Sequence, residues 1–193
     1  MPRTTLDAVH ARVMSVRAAA ERPIVVGVSG FCGAGKSTLA RALVERGGGI
    51  ARIRGDDFLD PVRSHLRSSD WSGVERGRLA VEVLRPFREG RPGEYRPYDW
   101  GAHRLGEPRP LPDAEVLVVD LIGLFHPETV ELLDLRIWVD LDLEIAARRG
   151  KARDEALGRR HDRLWDEVWV PNERDFAERF DPREVAHLIV DTR

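Results

Sequence analysis

At 193 residues, with 42% apolar and 33% charged side chains, the chain has the length and composition of one α/β domain with a sizeable core, and not those of a disordered or fibrous protein. Its net charge of -2 at pH 7 argues against a general affinity for nucleic acid or an anionic membrane, so neither is an expected partner. Cys32 is the only cysteine, which excludes an internal disulfide and a cysteine metal cluster; with no signal peptide or long apolar run, a cytoplasmic enzyme is the default expectation.

Leu6, Val9, Val13, Val16 and Ala20 recur at steps of three and four, predicting a helix over residues 4–20 that Thr4 or Thr5 caps and Pro23 ends. The apolar run Ile24-Val25-Val26-Gly27-Val28 reads as a strand. Directly after it comes Gly30-Phe31-Cys32-Gly33-Ala34-Gly35-Lys36-Ser37, a G-x-x-x-x-G-K-S loop that opens a helix through Leu39 to Val44. Strand, glycine loop and helix are the context in which this motif cradles a polyphosphate: the backbone N–H groups and the helix dipole point at the same spot. Gly30, Gly33, Ala34, Gly35, Lys36, Ser37 and Thr38 are therefore the expected ATP-binding residues. Lys36 is aimed at the β- and γ-phosphates, and the Ser37 hydroxyl at a Mg²⁺ that bridges them. Cys32, at a variable loop position, reads as a small filler residue.

Gly47-Gly48-Gly49 ends the helix, and Ile50 to Arg54 is a short second strand with Asp56-Asp57-Phe58 just beyond it. Ligands of open parallel sheets bind past the carboxyl ends of the strands, so these carboxylates are aimed at the crevice of the phosphate loop. Asp70-Trp71 follows in a loop, residues 74–85 predict a helix ended by Pro86, and a proline-rich excursion over about 90–112 carries Tyr95-Arg96-Pro97-Tyr98-Asp99-Trp100-Gly101-Ala102-His103-Arg104. So aromatic an insertion reads either as the wall of a pocket, a flap over the acceptor, or as a structural flap packed on its own aromatics. Val116 to Val119 is a doubly buried strand ending at Asp120, the acid expected near Mg²⁺, usually through water. Residues 127–134 predict a short helix, 135–139 a fourth strand, and about 142–160 an arginine-rich helix that reads either as a solvated face or as a lid over the phosphates. Helical residues around Trp165 to Trp169 are expected to be interrupted by Pro171, and Val185 to Val190 closes the chain as a fifth strand. His126, His161 and His187 lack partners at metal-ligand spacing.

In this order the residues resemble the uridine kinase group of P-loop kinases, which also includes kinases of pantothenate and ribosylnicotinamide, and phosphoribulokinase. The resemblance covers roughly residues 24–190 and implies an α/β P-loop fold with a five-stranded parallel sheet in the order 2-3-1-4-5, helices lying on both faces. It implies that Asp56 takes the proton of the acceptor hydroxyl, Asp70 holds ribose hydroxyls, and Tyr98 and His103, with Arg104 beside them, contact the base. Arg149 and Arg153 fall in the phosphate-contacting lid. Two departures stand out: Asp120-Leu121 where Glu-Gly is usual, and Gly150 where the lid usually has an arginine. The activity implied is ATP-dependent transfer to a hydroxyl of a small polar metabolite, most simply a nucleoside such as uridine, with Mg²⁺ and with a homo-oligomer left open. Two other readings compete. A regulatory GTPase would use Asp120-Leu121-Ile122-Gly123 and a damaged Asn172-Glu173-Arg174-Asp175, and a catalytically silent nucleotide-binding protein would need only the loop.

Overall fold

The computed structural model describes residues 5–192. A five-stranded sheet is built from β1 (Ile24–Ser29), β2 (Ile50–Arg54), β3 (Val116–Asp120), β4 (Leu135–Asp140) and β5 (Leu188–Asp191), all pairings parallel. Numbered within this sheet the order is 2-3-1-4-5, as the resemblance implies. Strand β1 is central, and its run of six buried residues splits by alternation: Ile24, Val26 and Val28 face one core, Val25 the other. Val116 and Val118 of β3 join the first core, and Leu117 and Val119 join the second.

Helices α1 (Leu6–Ala18) and α2 (Lys36–Glu45) cover the first face through Val9, Val13, Ala40 and Leu43. Thr5 caps α1, its hydroxyl accepting from the Ala8 N–H at 3.2 Å; Thr4, the other expected cap, lies outside the described residues. Helix α3, residues 76–88, and helix α5, residues 162–180, serve the second face with Leu79, Val83, Leu84, Phe87 and Phe176. Helix α4 (Leu143–Ala156) begins at Asp142, whose carboxylate accepts from the Glu144 and Ile145 N–H groups.

Two expected helix ends are overturned. Pro86 and Pro171 lie inside α3 and α5, each just after a five-residue π turn, Ala80–Leu84 and Trp165–Trp169. Proline lacks an N–H and its ring crowds the preceding turn, so a local widening of the helix lets the chain pass both without stopping. The helix expected over 127–134 is a single 3-10 turn, Val130–Leu132, and the fifth strand is shorter than its apolar run. Residues 90–112 form two small antiparallel ladders, Glu94–Tyr95 with Arg109–Pro110 and Tyr98–Asp99 with Arg104–Leu105, projecting from the sheet.

Gly150 has a packing explanation. The indole of Trp165 lies directly on it, where a Cβ would overlap the Cζ2 and Cη2 carbons, and the indole Nε1–H donates to Asp154 at 3.0 Å. An arginine does not fit beneath that ring. Gly150→Ala is accordingly expected to destabilise the fold by about 1–3 kcal/mol through overpacking, despite the better helix propensity of alanine. Urea denaturation measures this, and an unchanged or raised midpoint would contradict the packing account.

Candidate active site

The phosphate loop leaves β1 at Gly30 and enters α2 at Lys36, with Gly35 as the cap residue at φ 104°. No atom lies within 4 Å of where a Gly35 Cβ would stand, so glycine is needed there for its left-handed backbone alone. Gly33, at φ 89°, is needed for space as well. A Cβ there would strike the Ala146 carbonyl and come within 2.9 Å of the Gly150 nitrogen, so the loop is pressed backbone to backbone against α4. Ala34 is buried behind it, and its carbonyl accepts from the Thr192 hydroxyl at 3.0 Å.

Lys36 folds over the loop, its Nζ donating to the carbonyls of Gly30 at 2.8 Å and Phe31 at 2.9 Å. The ammonium is thereby parked within the loop that expects phosphate. Ser37 is half-buried on the first turn of α2, and Thr38 is exposed beside it, its hydroxyl 3.5 Å from the Arg41 guanidinium. Burial above all, and then the charge of Glu173, raises the Cys32 thiol far above the ordinary range, which keeps it protonated and unreactive, as suits a filler residue.

Three acids stand at the carboxyl ends of β2 and β3, and the structure treats them differently. Asp56 is exposed on the 3-10 turn Gly55–Phe58, and its charge reaches both Cys32 and Arg52. Asp57, the next residue, is buried, and burial raises its carboxyl despite the nearby Arg54, 4.0 Å away. Asp120 is 4% exposed, and both its oxygens are closed by Arg52, at 2.6 Å to Nε and 2.8 Å to Nη2. Asp120, the acid expected near Mg²⁺ through water, thus faces a guanidinium, because Arg52 on β2 lies diagonally across the ladder that pairs Arg54 with Asp120. No cluster of three or more potential metal ligands occurs among the described residues. What this site offers a divalent ion is the Ser37 hydroxyl and whatever oxygens the phosphates bring.

The acceptor side is only partly gathered. Asp70 is half-buried, followed by Trp71 at φ 54°, an uncommon backbone for a bulky residue, which costs on the order of 1–3 kcal/mol. Arg76 holds that turn: its guanidinium is buried and donates to the carbonyls of Asp70, Trp71 (3.2 Å) and Gly123 (2.9 Å). Burial pulls its pKa down to about 10, which leaves it charged at neutral pH. Tyr98 is buried against Trp100, ring centroids 4.8 Å apart, and the Trp100 indole donates to the Asp56 carbonyl at 3.3 Å, so the flap does bend to the sheet's edge. His103 and Arg104, by contrast, are exposed on its outer hairpin. Arg149 and Arg153 share the exposed face of α4. Arg149 donates to the Thr192 carbonyl at 3.1 Å, and Arg153 lies 3.2 Å from Asp154 yet close enough to Cys32 for its charge to be felt there.

Residues 172–175, the fragment of a guanine-reading motif, are clamps. Asn172 is fully buried, accepting from Arg67 and from the Ser68 N–H at 2.9 Å and donating to the Leu66 carbonyl at 2.9 Å; Asp175 pairs with Arg67 at 2.5 Å. Glu173 reaches the phosphate loop itself, accepting from the Cys32 N–H at 2.6 Å. Arg76 carried no warning in the sequence, and Glu173 stood out only within the fragment at residues 172–175. For Arg52 the available signal was a charged residue inside a strand, between Ala51 and Ile53.

A family model described as an AAA domain matches residues 26–170. Uridine kinases of Clostridium perfringens (strain ATCC 13124) and Leuconostoc citreum (strain KM20) are each 30% identical over 145 residues, covering 69% of this chain and 69% of theirs. A Bacillus stearothermophilus structure described as a possible uridine kinase superposes with a TM-score of 0.74 at 16% identity, covering 96% of this chain and 97% of that one. A candidate fructose transport system kinase from Silicibacter sp. TM1040 gives the same TM-score at 21% identity, covering 96% and 98%. At these identities the two structures speak to the fold.

The Arg52–Asp120 pair generates a direct test. Arg52→Met strands a buried carboxylate and is expected to cost about 3 kcal/mol, while Arg52→Met with Asp120→Leu recovers most of that loss. Urea unfolding of the wild type and the two variants measures both. A single substitution that costs no more than the double would contradict the pairing.

Proposed function

The chain belongs to the uridine kinase-like family of P-loop kinases, and from that premise we propose that it transfers the γ-phosphoryl group of ATP to a hydroxyl of a small polar metabolite, a nucleoside such as uridine being the favoured acceptor. The observation that carries the assignment of roles is the unequal fate of the three acids at the strand ends. Asp57 is buried, Asp120 is spent on Arg52, and Asp56 is exposed and free to meet a hydroxyl beside the phosphate loop.

In this reading the N–H groups from Gly33 to Thr38 receive the polyphosphate at the start of α2, and Lys36 swings from the Gly30 and Phe31 carbonyls onto phosphate oxygens. Ser37 would hold a Mg²⁺ at the phosphates, where the ion would supply positive charge against that developing on the β- and γ-phosphates; Asp120, paired with Arg52, would reach it only through water. The acceptor oxygen forms a bond to the γ-phosphorus as the bond to the β–γ bridging oxygen breaks; the hydroxyl proton passes to Asp56 and ADP leaves with the bridging oxygen. Asp70 and Tyr98 hold the acceptor, and His103 and Arg104 reach it by folding the outer hairpin inward. Arg149 and Arg153 supply positive charge from α4 as the site closes.

Asp56→Asn keeps size and removes the base, so single-turnover transfer is expected to slow by roughly 10²- to 10⁴-fold with little change in nucleotide affinity. Asp57→Asn should leave the rate near that of the wild type. Measured side by side, a rate loss confined to Asp57→Asn would contradict the assignment of the base.

A further inference from the structure

Glu173 is a buried carboxyl that the transfer scheme does not use. It is 3% exposed, on the face of α5 that meets the phosphate loop. One oxygen accepts from the Cys32 N–H at 2.6 Å, and the other, Oε2, is buried without a hydrogen-bond partner among the described residues. It borders a small cavity with Gly30, Phe31, Trp71, Trp138 and Phe176. Those walls offer the carboxylate no charge. The charged and titratable groups that face this corner are Lys36 and Cys32 on the loop, Asp56 beyond β2 and Arg153 on α4, and Lys36 is the cation felt by Glu173 itself.

We propose that Glu173 is a positioning residue of the phosphate loop, fixed to the Cys32 amide through one oxygen and taking up a proton on the other when Mg·ATP occupies the loop. The proposal rests on the nucleotide reading given above. The Cys32 amide is not among those given to phosphate, so Glu173 stays in place while nucleotide binds. It then shares its corner with a polyanion, and its one compensating cation is drawn to the phosphates. A buried carboxylate under those conditions favours its neutral form. Burial already pushes the carboxyl up to about 7, against the opposing pull of Lys36, the Cys32 N–H and the Cys32 thiol. Near pH 8 the nucleotide-free group is therefore mostly ionised, and a proton comes from solvent as the phosphates arrive. Oε1 continues to accept from Cys32 in either form, so the loop's geometry is kept and only the charge is removed.

The sign follows from linkage. A carboxyl whose pKa rises on binding makes affinity fall as pH climbs through the free-state value, by up to about tenfold per pH unit, and the same rise draws in up to about one proton per nucleotide at pH 8. Isothermal titration of the full chain with the magnesium complex of an ATP analogue carrying a non-hydrolysable β–γ bridge, in two buffers of different ionisation enthalpy, counts those protons. Glu173→Gln keeps a carbonyl for Cys32 and is expected to bind without this uptake and without the fall in affinity above pH 7. Glu173→Ala, which leaves the amide without an acceptor, should bind about tenfold or more weakly at every pH. Equal proton uptake by the wild type and Glu173→Gln, or none by the wild type, would overturn the proposal even with tight binding. A wild type that binds no analogue at all would instead overturn the ATP reading, and this inference with it.

Discussion

The close approach of the phosphate loop to α4 governs the rest of this structure. Gly33 leaves no room for a side chain between loop and helix, and a Cβ on Gly30 would come within 2.7 Å of the Val139 carbonyl at the end of β4. The loop is held by backbone on both sides, so its N–H groups are arranged before any ligand arrives. Such preorganisation places the cost of ordering in folding and not in binding. Trp165 enforces the position of α4 from behind by lying on Gly150, and its bond to Asp154 fixes the ring. Burial alone would raise the Asp154 carboxyl, but the bonds from Trp165, His161 and Arg153 outweigh it and hold it low.

Helix α5 ties the phosphate loop to the segment that precedes Asp70. Two consecutive residues do this, Asn172 gripping residues 66–68 and Glu173 gripping Cys32. That segment then runs through Asp70 into the strained turn at Trp71, which Arg76 holds from below. Passage of the helix through Pro171 is what keeps the two grips and Phe176 on one rigid element.

Much of this was legible in the sequence where a local rule decides the outcome. The apolar runs of β1 and β3, the glycine loop, the bounds of β2 and the strand order implied by resemblance all appear in the structure. Pro86 and Pro171 misled because proline reads as a terminator unless a π turn precedes it, and a π turn has no sequence signature. Arg52 and Asp120 are 68 residues apart, so their pairing belongs to the register of two strands and to no local pattern. Glu173 sits in a charged stretch that resembles a worn nucleotide-specificity motif; only burial against the loop separates it from a solvated glutamate. The Gly150 departure, which looks like a lost phosphate contact, is the footprint of Trp165.

Phosphoryl transfer to a small hydroxylic acceptor is measured most directly by acceptor-dependent ADP release. With ATP and Mg²⁺ supplied to the intact protein, a panel of nucleosides, pantothenate, sugars and phosphosugars should contain an acceptor, uridine foremost, that raises ADP release well above the acceptor-free rate. Lys36→Ala should abolish that increase. ADP release that no acceptor stimulates, or turnover confined to GTP, would contradict the account.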